Sequence, residues 1–192
     1  MATQNATSQS PSDPCVIISG FVAIGKTWLT ENASSAGLYD YNILDLDSAQ
    51  FPKDADGRRG PEFKPAYLAK VKESIAPNTI ILVSTHVEIR TALVEQGLNY
   101  ALVYPSDHLK EEWISRLQER EETEKLVQVV QNLWPDMMDG CKSQSSCQHF
   151  VLGEGQYLSD IIGDIIRHVK PIKDQRQGVQ AGNRPTTPHG DI

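Results

Sequence analysis

Gly20, Gly25, Lys26 and Thr27 stand at the spacing G-x-x-x-x-G-K-[ST], with Phe21, Val22, Ala23 and Ile24 between the two glycines. Residues of these types at this spacing suit one task. A backbone that curls through two glycines turns successive N–H groups inward around a phosphate, and the helix that follows points its positive end at the same anion. The ammonium of Lys26 then reaches the outer phosphate oxygens, and the Thr27 hydroxyl ligates a Mg²⁺ that bridges them. All eight residues from Gly20 to Thr27 are therefore candidate triphosphate-binding residues, and Lys26 is also a catalytic candidate. A second group is Asp45 and Asp47, which alternate along Tyr41-Asn42-Ile43-Leu44-Asp45-Leu46-Asp47 and so share one side of an extended strand. One carboxylate placed there orders the water shell of a metal, and the other accepts a proton from a substrate hydroxyl or orients it. A third group is Arg116 and Arg120, one helical turn apart, whose guanidinium groups can meet the charge that spreads over a phosphoryl group in transfer.

The surrounding sequence supplies elements to position these groups. Cys15-Val16-Ile17-Ile18-Ser19 is a short, β-branched run that reads as a buried strand before the loop, and a helix is expected from about residue 26 to 36, ending near Gly37. The acid pair closes a second strand, and ligands of open parallel sheets gather at the carboxyl ends of strands. Phe51 to Pro61 is turn-rich and charged; its Arg58 and Arg59 suit either an acidic acceptor or solvent. A helical pattern follows through Tyr67, Val71 and Ile75. Thr79 to Ser84 reads as a central strand that ends in Ser84-Thr85-His86, with no acid, and His86 can touch an acceptor or simply cap the next helix. That helix, Val87 to Gln96, buries Ile89 and Leu93, ends at Gly97, and carries Arg90 as a surface residue. A fourth strand, Tyr100 to Tyr104, closes at Pro105, and Ser106 or Asp107 caps a helix with Leu109, Trp113 and Leu117 on one face. The next amphipathic helix carries Leu126, Val129, Val130 and Leu133 and is expected to stop at Trp134-Pro135, leaving an irregular stretch to Cys147. Phe150 to Leu152 is a last strand, followed by Gly153 and Gly155 and a helix from Ser159 to Val169.

At 192 residues the chain suits a single domain, placed at residues 14–170 between polar, proline-containing tails at 1–13 and 171–192. A formal charge of −7 disfavours a surface built mainly to grip nucleic acid, which ranks behind small molecules as a partner. No apolar run approaches the ~20 residues that a bilayer crossing needs, and no signal-peptide pattern opens the chain, so a cytoplasmic monomer or weak homodimer is expected. Three cysteines, Cys15, Cys141 and Cys147, fit a reducing compartment better than a disulfide framework. Cys141, Cys147 and His149 lack the spacing and the fourth ligand of the usual zinc sites.

A phosphate loop on the first strand, an acid pair closing the second and a helix ending Arg116-Leu117-Gln118-Glu119-Arg120 together resemble the nucleoside-monophosphate-kinase-like branch of P-loop proteins. The acid pair is most similar to that of shikimate kinases, and gluconate and polynucleotide kinases also place an acid there. The resemblance spans residues 15 to 169. It implies a three-layer α/β/α fold on a five-stranded parallel sheet of order 2-3-1-4-5, with a lid. It further implies ATP and Mg²⁺, a metal-side role for Asp45, an acceptor-hydroxyl role for Asp47, lid arginines at 116 and 120, and an adenine loop near Gly153 and Gly155. The expected acceptor is a small molecule or nucleotide. Polynucleotide 5′-hydroxyl kinase is an alternative, as is a module that binds ATP without transferring it, since the third strand lacks the usual metal-side acid. The two acids are separable: Asp47→Asn should abolish transfer while ATP binding stays largely intact, and equal loss of both, read by calorimetry beside turnover, would make Asp47 a metal residue instead.

Overall fold

Continuous β-branched sequence takes the middle of the sheet. In a computed structural model, which describes residues 13–46 and 60–169, β1 (Val16–Gly20), β3 (Thr79–Ser84) and β4 (Ala101–Pro105) are buried along almost their whole length. Strands covered on both faces need apolar residues at every position, which explains why these three do not alternate. The flanking strands β2 (Asn42–Leu46) and β5 (Gln148–Leu152) are only partly covered. The order is β2-β3-β1-β4-β5 and every pairing is parallel. This is the kinase-like α/β arrangement expected. The sequence-based tails, apart from Asp13, lie outside the described residues, as do Asp47, Arg58 and Arg59.

Register sets where the chemistry falls. Gly20, the last residue of β1, stands opposite Ser84 on one side and Val103 on the other. Asp45 pairs with Leu82, two residues before the end of β3. The loop after β1 therefore opens at the rim where β3 also ends, in the crevice that parallel sheets form where their strand order reverses.

Among the described residues six α-helices cover the sheet. α1 (Lys26–Glu31) ends five residues earlier than the pattern suggests, at Asn32, which leaves helical backbone (φ −123) and whose side-chain N–H shares the Trp28 carbonyl with its own backbone N–H. α2 (Phe63–Glu73) buries Phe63, Tyr67 and Val71 at i, i+4, i+8, and α3 (Val87–Glu95) is followed by Gly97 at φ 65. A short 3₁₀ turn, Asp107–Leu109, leads into α4 (Lys110–Glu119), whose Trp113 and Leu117 are fully buried. α6 (Leu158–His168) buries Leu158, Ile162 and Ile165.

The largest departure from expectation is α5, which runs Glu124–Lys142 straight through Pro135. A proline inside a helix loses one backbone hydrogen bond and crowds the carbonyl four residues back, at a cost of about 3 kcal/mol. Tertiary burial offsets that cost. Val130, Trp134, Met138 and Cys141 recur at i, i+4, i+8, i+11 and all are buried, with the Trp134 indole N–H donating to the Asp107 carbonyl at 2.9 Å. The residues beyond Pro135 thus belong to the core. Met138→Ala should lower unfolding free energy by about 2–4 kcal/mol, whereas Met137→Ala, on a half-covered face, should cost clearly less; urea titration of both variants would show equal costs if the helix ended at Trp134.

Candidate functional site

The phosphate loop takes its shape from what lies beneath it. Ala23 and Gly25 adopt left-handed backbone, at φ 60 and φ 93, and produce the curl. A Cβ on Gly20 would come within 2.5 Å of Ile24 Cδ1 and 3.1 Å of Lys26 Cδ, so a side chain there would displace the loop. Ile24 is fully buried. Its bulk is thus packed into the core under the loop, which locks the curl without occupying the cradle. Two side attachments complete the frame: the Trp113 indole N–H donates to the Val22 carbonyl and the Leu158 N–H to the Ile24 carbonyl, each at 2.8 Å. Phe21 N–H bonds to the Val103 carbonyl at 2.9 Å, fixing the loop's departure from the sheet. Lys26 Nζ donates to the carbonyls of Gly20 at 2.8 Å and Phe21 at 3.0 Å, which holds the ammonium over the loop.

This loop borders a cleft of about 760 Å³. Gly20 to Ala23, Lys26 and Thr27 line it, and Asp45 lines it from β2. The end of β2 is fastened by Tyr67, whose hydroxyl donates to the Leu46 carbonyl at 2.6 Å and receives the Ser84 N–H at 3.4 Å. Ser84, Thr85 and His86 form the floor beyond β3, and the Ser19 hydroxyl donates to the Ser84 carbonyl at 3.1 Å. His86 is the N-terminal flanking residue of α3 and also faces the cleft.

The two expected arginines occupy different surroundings. Arg120 lines the cleft, is 47% exposed, and lies 3.5 Å from Glu122. Arg116 is 6% exposed and lies apart from the cleft lining. Its guanidinium stacks between the Trp113 ring, 4.2 Å away, and the Tyr157 ring, 3.9 Å away, pairs with Glu112 and donates to the Gln156 carbonyl at 2.9 Å. Glu112 also receives the Gly155 N–H at 3.1 Å. The loop from Gly153 to Tyr157 is thereby fastened to α4, and Tyr157 in turn packs against Gly25 of the phosphate loop.

Two features escape a reading of the sequence. Arg90 is buried at 4% exposure, not on the surface as its helix pattern suggested, and it lines the cleft. Its Nε donates to the Thr85 carbonyl at 3.0 Å and its Nη1 to the Gly140 carbonyl at 2.7 Å. The available signal was its position three residues before buried Leu93, on the same helix face. The second feature is the α5 wall of the cleft, formed by Leu126, Val129, Leu133 and Met137. Leu126, Val129 and Leu133 stood out as apolar helix positions, whereas Met137 lies past Pro135, where the helix is expected to stop.

Cys141 belongs to the same lining, with Cys147 and Tyr100 near it. Burial raises the Cys141 thiol above its ordinary pKa, partly opposed by the Arg90 guanidinium, and burial likewise raises Cys147. Burial and the adjoining Cys147 raise the Tyr100 hydroxyl. Cys147 Sγ lies 3.4 Å from His149 Nε2, while the His149 Nδ1 side meets the Tyr104 hydroxyl at 3.2 Å. Thiols held protonated at neutral pH are weak nucleophiles and poor metal ligands. Among the described residues no three His, Cys, Asp or Glu side chains converge as a metal-binding group, and no helix is long and apolar enough to cross a membrane.

No family model and no curated protein sequence matches this chain. Solved structures similar to it include the following two. One is a gluconokinase from Sinorhizobium meliloti 1021, with a TM-score of 0.46 and 14% identity over 81% of this chain and 90% of that one. The other is APE1195, with a TM-score of 0.43 and 16% identity over 81% of this chain and 94% of that one. Function is accordingly read from the site.

The contrasting arginines give a stability test. Arg116→Ala removes a stacked, paired cation from a nearly dry position and should cost about 3 kcal/mol. Arg120→Ala removes a half-exposed pair and should change stability by no more than about 0.5 kcal/mol. Equal costs in denaturant titrations would contradict the burial difference.

Proposed function

We propose that this chain is an ATP-dependent phosphotransferase that passes the γ-phosphoryl group to a hydroxyl or phosphate of a small acceptor. The observation that carries this reading is the convergence of the phosphate loop, Asp45 and Arg120 on one cleft. Lys26, held over the loop by two carbonyls, exchanges those bonds for phosphate oxygens when the triphosphate enters the cradle. The Thr27 hydroxyl and the Asp45 carboxylate border the same cleft and form an all-oxygen donor set of the kind that suits Mg²⁺, with water and phosphate completing the shell. The metal, when bound, neutralises charge on the phosphate oxygens. Asp47, two residues beyond Asp45, takes the acceptor's proton as the acceptor oxygen bonds to the γ-phosphorus, and the bridging oxygen leaves with its electron pair on ADP. Arg120 meets the transferring group from the cleft side. Arg116, buried against Trp113 and Tyr157, holds the helix end that presents Arg120 and fastens the loop on which the adenine would rest.

A second reading is ATP binding without transfer. It is favoured by Ser84, which lines the cleft at the β3 terminus where many P-loop enzymes carry an acid. ADP formation separates the two readings when the protein is screened against nucleosides, nucleotides, sugar acids and oligonucleotides. Transfer predicts turnover with at least one acceptor and a loss of about 10²-fold or more in Lys26→Ala, the size expected when one electrostatic contact to the reacting group is removed. ATP binding with no ADP from any acceptor favours the second reading, and unchanged turnover in Lys26→Ala would remove the phosphate loop from the mechanism.

A further inference from the structure

α5 is apolar on two faces, one sunk in the core and one that packs on it only in part. Val130, Trp134, Met138 and Cys141 are buried, and Val130 and Cys141 also reach the cleft lining. Leu126, Val129, Leu133 and Met137 form a second stripe, spaced three, four and four residues apart, and all four line the cleft that also holds Lys26, Thr27 and Asp45. Leu133 is 45% exposed there. Across the mouth, Val87 at the start of α3 lines the same cleft and is 61% exposed. Large exposed apolar residues are few among the described residues, and two of the six border this one opening. Apolar side chains scattered singly over a surface carry no message, but a concentration at the mouth of a reactive cleft marks a ligand surface.

The position of the stripe identifies which ligand. Gly153 and Gly155, where the adenine loop is expected, do not line this cleft. The stripe therefore belongs to the side of the phosphate loop where the acceptor enters. Arg90, Arg120 and Glu122 line other parts of the cleft, but among the α5 residues that line it only Asp136 is charged, so a polyhydroxylated body laid along this face would leave most of its hydroxyls without a replacement for water. An aromatic or branched aliphatic body loses only unfavourable contact with water.

We infer that the acceptor is a hydroxyl-bearing molecule with an aromatic or branched apolar body, seated between Val87 and the Leu126–Met137 face of α5, and not a sugar acid. This assignment rests on the phosphotransferase reading for the word acceptor, but its test reads binding alone. The neutral fluorescent probe N-phenyl-1-naphthylamine should bind the full chain at one saturable site. Leu133→Gln and Val87→Gln should each weaken it about tenfold, the effect of losing roughly one apolar side-chain contact, with melting temperatures close to that of the parent. 2-Phenylethanol should displace the probe, and gluconate at the same concentration should not. Undiminished probe binding in both variants, or displacement by gluconate and not by 2-phenylethanol, overturns the assignment. So does a large loss of thermal stability in both variants, which would make the stripe part of the core. One-site probe binding in a chain that forms no ADP would instead count against phosphotransfer and leave the apolar site standing.

Discussion

The contact between Ile24 and the empty side of Gly20 is the constraint on which the rest depends. It sinks a large apolar side chain into the core beneath a loop whose upper surface must stay open, so the loop is stiffened from below. A phosphate cradle works only if its N–H groups already converge before the anion arrives, since organising them on binding would consume the attraction they provide. The bonds from Trp113 to Val22 and from Leu158 to Ile24 extend the same restraint to α4 and α6. Two helices distant in sequence thus fix one short turn. The bulky residues inside the motif, which look obstructive in the linear sequence, are what connect it to the core.

Much of the fold was legible because burial on both faces leaves a simple trace. β1, β3 and β4 need apolar residues at successive positions, and their sequences show that directly. Gly97 and the Leu109, Trp113, Leu117 spacing were legible for the same reason: each reflects local geometry, a left-handed turn or a helical face. The sheet order was not contained in any such pattern and came from the motif resemblance. The sequence could place Asp45 on a strand end, yet only the folded sheet, with Asp45 opposite Leu82 two residues short of the end of β3, brings it to the same cleft as Gly20.

What was not legible depended on partners far along the chain. An arginine on an amphipathic helix normally faces water, and Arg90 departs from that because the Gly140 carbonyl, fifty residues later, receives its Nη1. Arg116 and Arg120 share a spacing and a residue type, so sequence alone treats them alike. Their difference comes from Tyr157, which closes over one guanidinium and leaves the other on the cleft. Pro135 is the opposite case, a strong local signal overruled by the burial of Trp134, Met138 and Cys141 around it.

Arg90 also explains how a cleft with unlike walls keeps its width. Its planar guanidinium reaches two carbonyls in different directions, Thr85 at the end of β3 and Gly140 near the end of α5. A lysine has one ammonium on a flexible stem and could not span both with the same fixed angle. The end of β3 and the apolar wall of α5 are thereby joined by one buried side chain. Because that side chain also crowds Cys141 and lowers the cost of ionising it relative to burial alone, the same guanidinium couples the geometry of the cleft to the electrostatics behind it.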